Sequence, residues 1–424
     1  MAPRGRRVAA VVLLLVALVA GGCSTSWADW SIGDVQPTLP GESAESLVEV
    51  DLAALEPIGA AVLWRQKYQG FLGAQMGPRG DYTVIYGSLP GGLGLDLLDK
   101  GGRRLWQFRY SDAGLKTLRA DVRGTPPLVS AVAGDGSSNS VVSVFDLQGR
   151  ELWRRRVTGS SASLVMSADG QRFALLEPVT GRLLLLDARG TELNQFKISP
   201  DAQAAFYRRG DNLLLINDAD HVRLVSRSGQ VLLDQDISRE FQRSVVLSPA
   251  GDRVAVTTRG SDSTAYVFDI EGNLLWSKPL FVGGSNQPAF SPDGLTLYIY
   301  NVGDGAGIYG LDAATGEVTL RLFPAVPENR RALVRRMWTA PDAVLVDYVT
   351  VPRSGGGAGE EEHVLLAASP DASRTRSMFL GRGVEIDITD DGRRLLVVQR
   401  QGPPEAPATV LTVYDLDAAA RSAP

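Results

Sequence analysis

A unit of 39 to 47 residues recurs along most of this chain, and no other feature constrains its fold as strongly. One landmark is an aspartate, a short glycine turn and an apolar pair often ending in tryptophan. DKGGRRLW begins at Asp99, DLQGRELW at Asp146, DARGTELN at Asp187, SRSGQVLL at Ser226, DIEGNLLW at Asp269 and DAATGEVT at Asp312. SPDASRTR at Ser369 is a degraded copy, and a half-copy carries Asp415. A second landmark runs out of phase: a tight turn before a strongly apolar strand. It begins at Pro78, Ser167, Arg208, Ser248, Ser291, Ala340 and Thr389, and RGTPPLVSAV around Gly124 fills the remaining gap. Repeats of this length holding several short strands build a radial array of four-stranded sheets, because one unit cannot bury its apolar faces alone. The 46 glycines and the lack of a helical period point the same way. The predicted fold is all-β, a β-propeller of eight four-stranded blades. Seven blades is the alternative if the weak unit at 340–376 is merged into a neighbour.

Each unit reads as four strands, a to d, from the centre outward. An SPDG-type turn leads into strand b, as in LTLYIYNV from Leu295. A looser loop leads into strand c, as in TAYVFDI from Thr264. The DxxG turn leads into strand d, as in LLWSKPL from Leu274. Aspartate bonds nearby amides and glycine accepts positive φ, so both suit these turns. Strands b and c are apolar at consecutive positions, such as LLLL from Leu183, so both of their faces are buried. The last unit stops at strand c, TVLTVYDL from Thr409, whereas the body begins with an orphan strand d, AVLWRQKY from Ala61. The N-terminal strand is therefore predicted to complete the last blade and remove the free edge.

The first residues read as an address. Arg4, Arg6 and Arg7 precede 13 unbroken apolar residues, Val8 to Ala20, then Gly21, Gly22 and Cys23. This is the charged, apolar and small-residue order of a secretory signal, too short for a permanent span. Cys23, the single cysteine, stands where the small-residue site ends. That placement resembles the lipobox of bacterial lipoproteins, which implies acylation of Cys23; Ala20 replaces the leucine such sites prefer. The expected organisation is a signal peptide at 1–22, a lipidated cysteine and flexible tether at 23–55, the propeller at 56–418 and a tail at 419–424. The expected location is the extracytoplasmic side of a bacterial cell membrane or outer membrane, held by lipid.

The DAATGEVT turn at Asp312 and the Leu–Trp pairs at 105–106, 152–153 and 275–276 resemble the repeats of quinoprotein-like propellers. The SPDG-type turns resemble those of WD-type and TolB-type propellers. A lipid-anchored eight-blade propeller of this kind is similar to the scaffold lipoprotein of the outer-membrane β-barrel assembly machinery. No binding motif of that family can be placed residue by residue here.

Catalytic constellations do not emerge. A quinone-dependent enzyme of the resembling family often uses a vicinal cysteine pair, which one cysteine excludes. There is no GxSxG, and the two histidines, His221 and His363, read as solvated loop residues. The glycine-rich stretches lie between strands rather than before helices, so they are turns and not phosphate loops. No cofactor and no metal site is expected. A net charge of −5 gives no basic excess for nucleic acid.

The b–c loops vary while the a–b and c–d turns stay tight, and variable loops on one face of a repeat fold mark the binding face. They carry Asp135, Asp218, Asp220, Asp262 and Asp304, with the longest insertion running from Arg353 to His363. A d–a segment with Arg330, Arg331, Arg335 and Arg336 is expected on the same face. The sequence thus predicts a monomeric, non-catalytic, lipid-anchored scaffold with an envelope protein as partner. The alternative is an envelope enzyme or small-ligand sensor using the central channel. A channel lined by convergent charged residues favours the alternative, and one plugged by small apolar strand-a residues favours the scaffold.

Overall fold

The computed structural model describes residues 48–416 except 53–54, 113, 208–213, 219–220, 237–242, 259–262, 281–284, 303–306, 327–328, 354–360 and 404–405. Its strands form eight sheets, each built on four antiparallel strands, arranged as the blades of a propeller. Blade 1 runs Leu72–Met76, Tyr82–Leu89, Gly92–Asp99 and Arg104–Arg109, and the other blades follow in chain order. The eighth is assembled from both ends of the body. Val384–Ile388, Arg394–Gln401 and Ala408–Asp415 supply strands a to c, and Ala61–Gln69 pairs antiparallel with Ala408–Asp415 as strand d.

The apolar runs are buried as their two-sided character requires. Strand b of blade 3, Arg172–Glu177, is buried at every position but its first, and strand c, Arg182–Asp187, at every position but its two ends. Strands d alternate between exposed and partly buried, as at Leu274–Pro279, because their outer edge meets water. Eight apolar clusters result, one at each junction between neighbouring blades. Val84, Leu95 and Leu97 of blade 1 meet Val122 and Val129 of blade 2, and Trp64, Leu411 and Val413 of blade 8 meet Leu72 and Ile85 of blade 1.

The two halves of the first landmark prove to be one joint. The tryptophan on strand d of one blade lies against the turn glycine of the next. The pairs are Trp64 with Gly102, Trp106 with Gly149, Trp153 with Gly190 and Trp276 with Gly316. At Gly149 the backbone has φ +78°, and a Cβ would stand 2.9 Å from the Trp106 ring. Only glycine combines that backbone with that approach. Where tryptophan is missing the joint is kept by other means, as where Asn194 Nδ2 donates to the Gly229 carbonyl at 2.9 Å.

Residues 48–58, part of the region assigned to the tether or left without an element, lie along the rim. Val48–Asp51 adds a parallel fifth strand to blade 6 beside Val318–Ala325, and Glu56–Pro57 adds one to blade 7 beside Thr375–Arg382. Leu52 enters the core between blades 6 and 7, and Ile58 packs on the core between blades 7 and 8.

Candidate functional site

The b–c and d–a connections share one face and hydrogen-bond to one another. Gly159 N–H donates to the Ser138 carbonyl at 2.6 Å, Ile198 N–H to Gly181 at 2.9 Å and Leu280 N–H to Ser263 at 2.7 Å. Asp135, in the b–c loop of blade 2, is committed to its own loop. Its Oδ1 accepts from the amides of Ser137 (2.8 Å), Ser138 (2.8 Å) and Asn139 (3.1 Å), and its Oδ2 accepts from Asn139 Nδ2 (3.0 Å). These donors, led by the Ser137 amide, hold the carboxyl well below the usual carboxylate range. Asp218 accepts the Ser199 amide at 2.7 Å, tying the b–c loop of blade 4 to the d–a connection before it, and Arg223 lies 3.9 Å away. Asp220, Asp262, Asp304 and Cys23 lie outside the described residues. The same face leaves Phe71 51% and Val179 66% exposed.

The arginine-rich segment at 330–340 departs from expectation. It is not a loop but an 11-residue strand a, Arg330–Ala340, whose register shifts between Val334 and Arg336. The alternating apolar Ala332, Val334 and Met337 pack into the core between blades 6 and 7, and that periodicity draws the segment into the sheet. His363 also departs from the solvated loop residue expected. It opens strand c of blade 7, Glu362–His363 being followed by five apolar residues, and only 2% of it is exposed. Its Nδ1 lies 2.9 Å from Oδ1 of the equally buried Asp347 on the paired strand. A buried imidazole with a carboxylate partner is a satisfied pair, and the signal that could have found it is the apolar run VLLAA immediately after it. His221 likewise begins a strand, with its Nδ1 2.9 Å from Asp234 Oδ1.

These shifts give the channel two unlike sides. Strands a of blades 3 to 6, Ser163–Met166, Gln203–Phe206, Arg243–Leu247 and Ser285–Phe290, carry a single charged residue, Arg243. Those of blades 7, 8 and 2 carry four arginines at 330–336, then Glu385 and Asp387, then Arg119, Asp121 and Arg123. Between blades 7, 8 and 1 this side holds a cavity of about 280 Å³ whose walls include Gln75, Tyr86, Arg336, Trp338, Glu385 and Asp387. Glu385 is paired with Arg400 at 2.6 Å. Asp387 accepts the Met76 amide through Oδ2 at 3.1 Å. Burial pushes the Asp387 carboxyl up, and the charges of Arg336 and Arg123 offset this only in part. The Arg336 guanidinium lies over the Trp338 ring, 5.0 Å from its centroid.

Residues 180–358 match the PQQ-like repeat family model described as outer membrane protein assembly factor BamB. The match and the eight-bladed fold together support a PQQ-like propeller. No curated protein matches the chain. Among solved structures, a crystal structure of the eukaryotic initiation factor is 12% identical, with a TM-score of 0.55 over 82% of this chain and 87% of that one. The Dos1 propeller is 12% identical, with a TM-score of 0.52 over 86% and 96%. The dihydro-heme d1 dehydrogenase NirN in complex with DHE is 17% identical, with a TM-score of 0.55 over 81% and 72%. These likenesses show the propeller fold alone.

Proposed function

We propose that this PQQ-like propeller is a non-catalytic scaffold, lipid-anchored through Cys23 on the outer side of a bacterial membrane, that holds a protein partner on its b–c/d–a face. The match of residues 180–358 to an outer membrane assembly factor carries this reading. The face itself supports it. Its loops vary in length on a rigid ring, are cross-bonded to one another, and leave Phe71 and Val179 open to solvent. Of the five acidic residues, Asp135 and Asp218 lie within the described residues. Asp135 and Asp218 shape the loops, so partner contact falls to the exposed side chains those loops present.

Site-specific photo-crosslinking in cells tests this. A crosslinker at Ser138 or Val179, on the b–c loops, is expected to capture an envelope protein. One at Gln148 or Glu271, on the c–d turns of the opposite face, is expected to capture none. Adducts formed only from the c–d turns would overturn the assignment of the face. A small-ligand role for the channel is the second reading, and the charged wall of blades 7, 8 and 2 is what favours it.

A further inference from the structure

Arg336 and Asp387 line one cavity with opposite charges and do not bridge. Among the described residues, no carboxylate comes within 4 Å of Arg336 and no cation within 4 Å of Asp387. Yet each lies in the other's field, since Arg336 draws the Asp387 carboxyl down against its burial. Neighbouring charges on the same wall are differently placed. Arg335 reaches Glu361 at 3.2 Å, Glu385 holds Arg400, and Asp347 holds His363. Asp387 thus has no counter-ion and holds instead the amides of Met76 and Ile388, each at 3.1 Å. Trp338, Gln75 and Tyr86 complete the wall, Trp338 and Tyr86 also packing on the neighbouring cores. Gly73 has no side chain where a Cβ would run into the Tyr86 ring, so the backbone there makes room for that ring beside the cavity.

We propose that this cavity binds a small zwitterion of the α-amino-acid class, its carboxylate on Arg336 and its ammonium on Asp387. Holding Asp387 in a partly buried wall without a counter-ion costs free energy, while the exposed guanidinium of Arg336 is free to attract an anion, so a ligand carrying the complementary pair gains at both ends. A monoanion or a monocation gains at only one. The volume of about 280 Å³ lies just below the range of drug-sized ligand pockets, about 300–1,000 Å³, which suits a single amino acid. This is the sensor use of the channel narrowed to one ligand class, and it rests on the cavity rather than on the loop face.

The experiment is thermal unfolding and calorimetric titration of the detergent-solubilised full-length protein with a panel of free α-amino acids. Acetate and methylammonium at matched concentration are the single-charge controls. At least one amino acid is expected to raise the melting temperature saturably, as a ligand bound only by the folded state must. Neither control is expected to match it. Arg336→Gln and Asp387→Asn should each weaken binding about 10- to 100-fold, the range for losing a charge-assisted contact. Arg336→Lys should recover part of it, and Arg155→Gln on the rim should leave it unchanged. If one variant fails to fold, the other carries the test. No response to any amino acid, a response equalled by acetate, or one that survives in the folded variants would overturn the proposal. None of these outcomes bears on the crosslinking at the loop face, so the two readings fail separately.

Discussion

At the residue scale, the repeat landmark is a pair of surfaces rather than a pair of motifs. Tryptophan and turn glycine lie in different blades, so neither is intelligible within one unit. Gly149→Ala should therefore cost about 1–2 kcal/mol for the left-handed backbone and a further 1–3 kcal/mol for the overlap with Trp106. Urea unfolding of the double variant with Trp106→Leu separates the two. The penalty for Gly149→Ala should fall to the backbone part once the ring is gone, and an unchanged penalty would show that the joint does not act through contact. Asp387 gives a second prediction. Its carboxyl is raised by burial, so the folded ring binds that proton more tightly than the unfolded chain does. Its contribution to stability is therefore greatest in acid and is lost as pH rises through and above the ordinary carboxylate range. Asp387→Asn keeps an acceptor for the Met76 amide and removes the charge, so the melting temperature at neutral pH should hold or rise while the amino-acid response disappears. A lower melting temperature at neutral pH would make Asp387 a structural carboxylate.

At the scale of elements, strands b, c and d were legible in the sequence, and strands a and the rim were not. Consecutive apolar residues such as Leu183–Leu186 announce strands buried on both faces. Strand a borders the channel, where charged and small residues are equally tolerated, so Arg330–Ala340 read as a connection. Residues 48–58 escaped because a parallel added strand needs only four pairs and one inserted leucine, Leu52, too little to produce a period. The two N-terminal pieces should behave differently when removed. Deleting 59–68 takes strand d and Trp64 from blade 8, strips the partner from Ala408–Asp415, and should lower the stability of the entire ring. Deleting 48–52 opens only the edge at Val318–Ala325. It should lower hydrogen-exchange protection there while the far blades keep theirs. Equal loss in all blades after the second deletion would mean that the added strand is part of the ring's closure.

At the scale of the whole molecule, fold and function part company. Eight near-equivalent junctions make the ring stiff, and a stiff ring lets its loops and its channel wall change at little cost to folding. That is why the fold could be read from spacing while the site could not. Loop position alone marks the acidic face, and at Asp135 the carboxylate is spent on three amides of its own loop, a role that aspartate in any turn can fill. The channel charges lie at 119–123, 330–336 and 385–387, and only closure of blade 8 onto blade 1 brings them to one side. The proposed anchor is the remaining whole-molecule property, and it would be independent of both sites. We expect Cys23 to carry lipid, because it follows the apolar run and small residues directly and is the only cysteine in the chain. Acyl chains contribute about 0.8 kcal/mol per buried methylene, and stable attachment takes more than one. Cys23→Ser should therefore release the protein from the membrane fraction with its unfolding transition unchanged, since the ring begins well downstream. It should also reduce crosslinking from Val179 in cells by lowering the local concentration of partner, while leaving capture by purified components intact. A mature protein whose intact mass shows a free thiol at Cys23 would remove the anchor from this account and leave the loop face and the channel to be judged on their own tests.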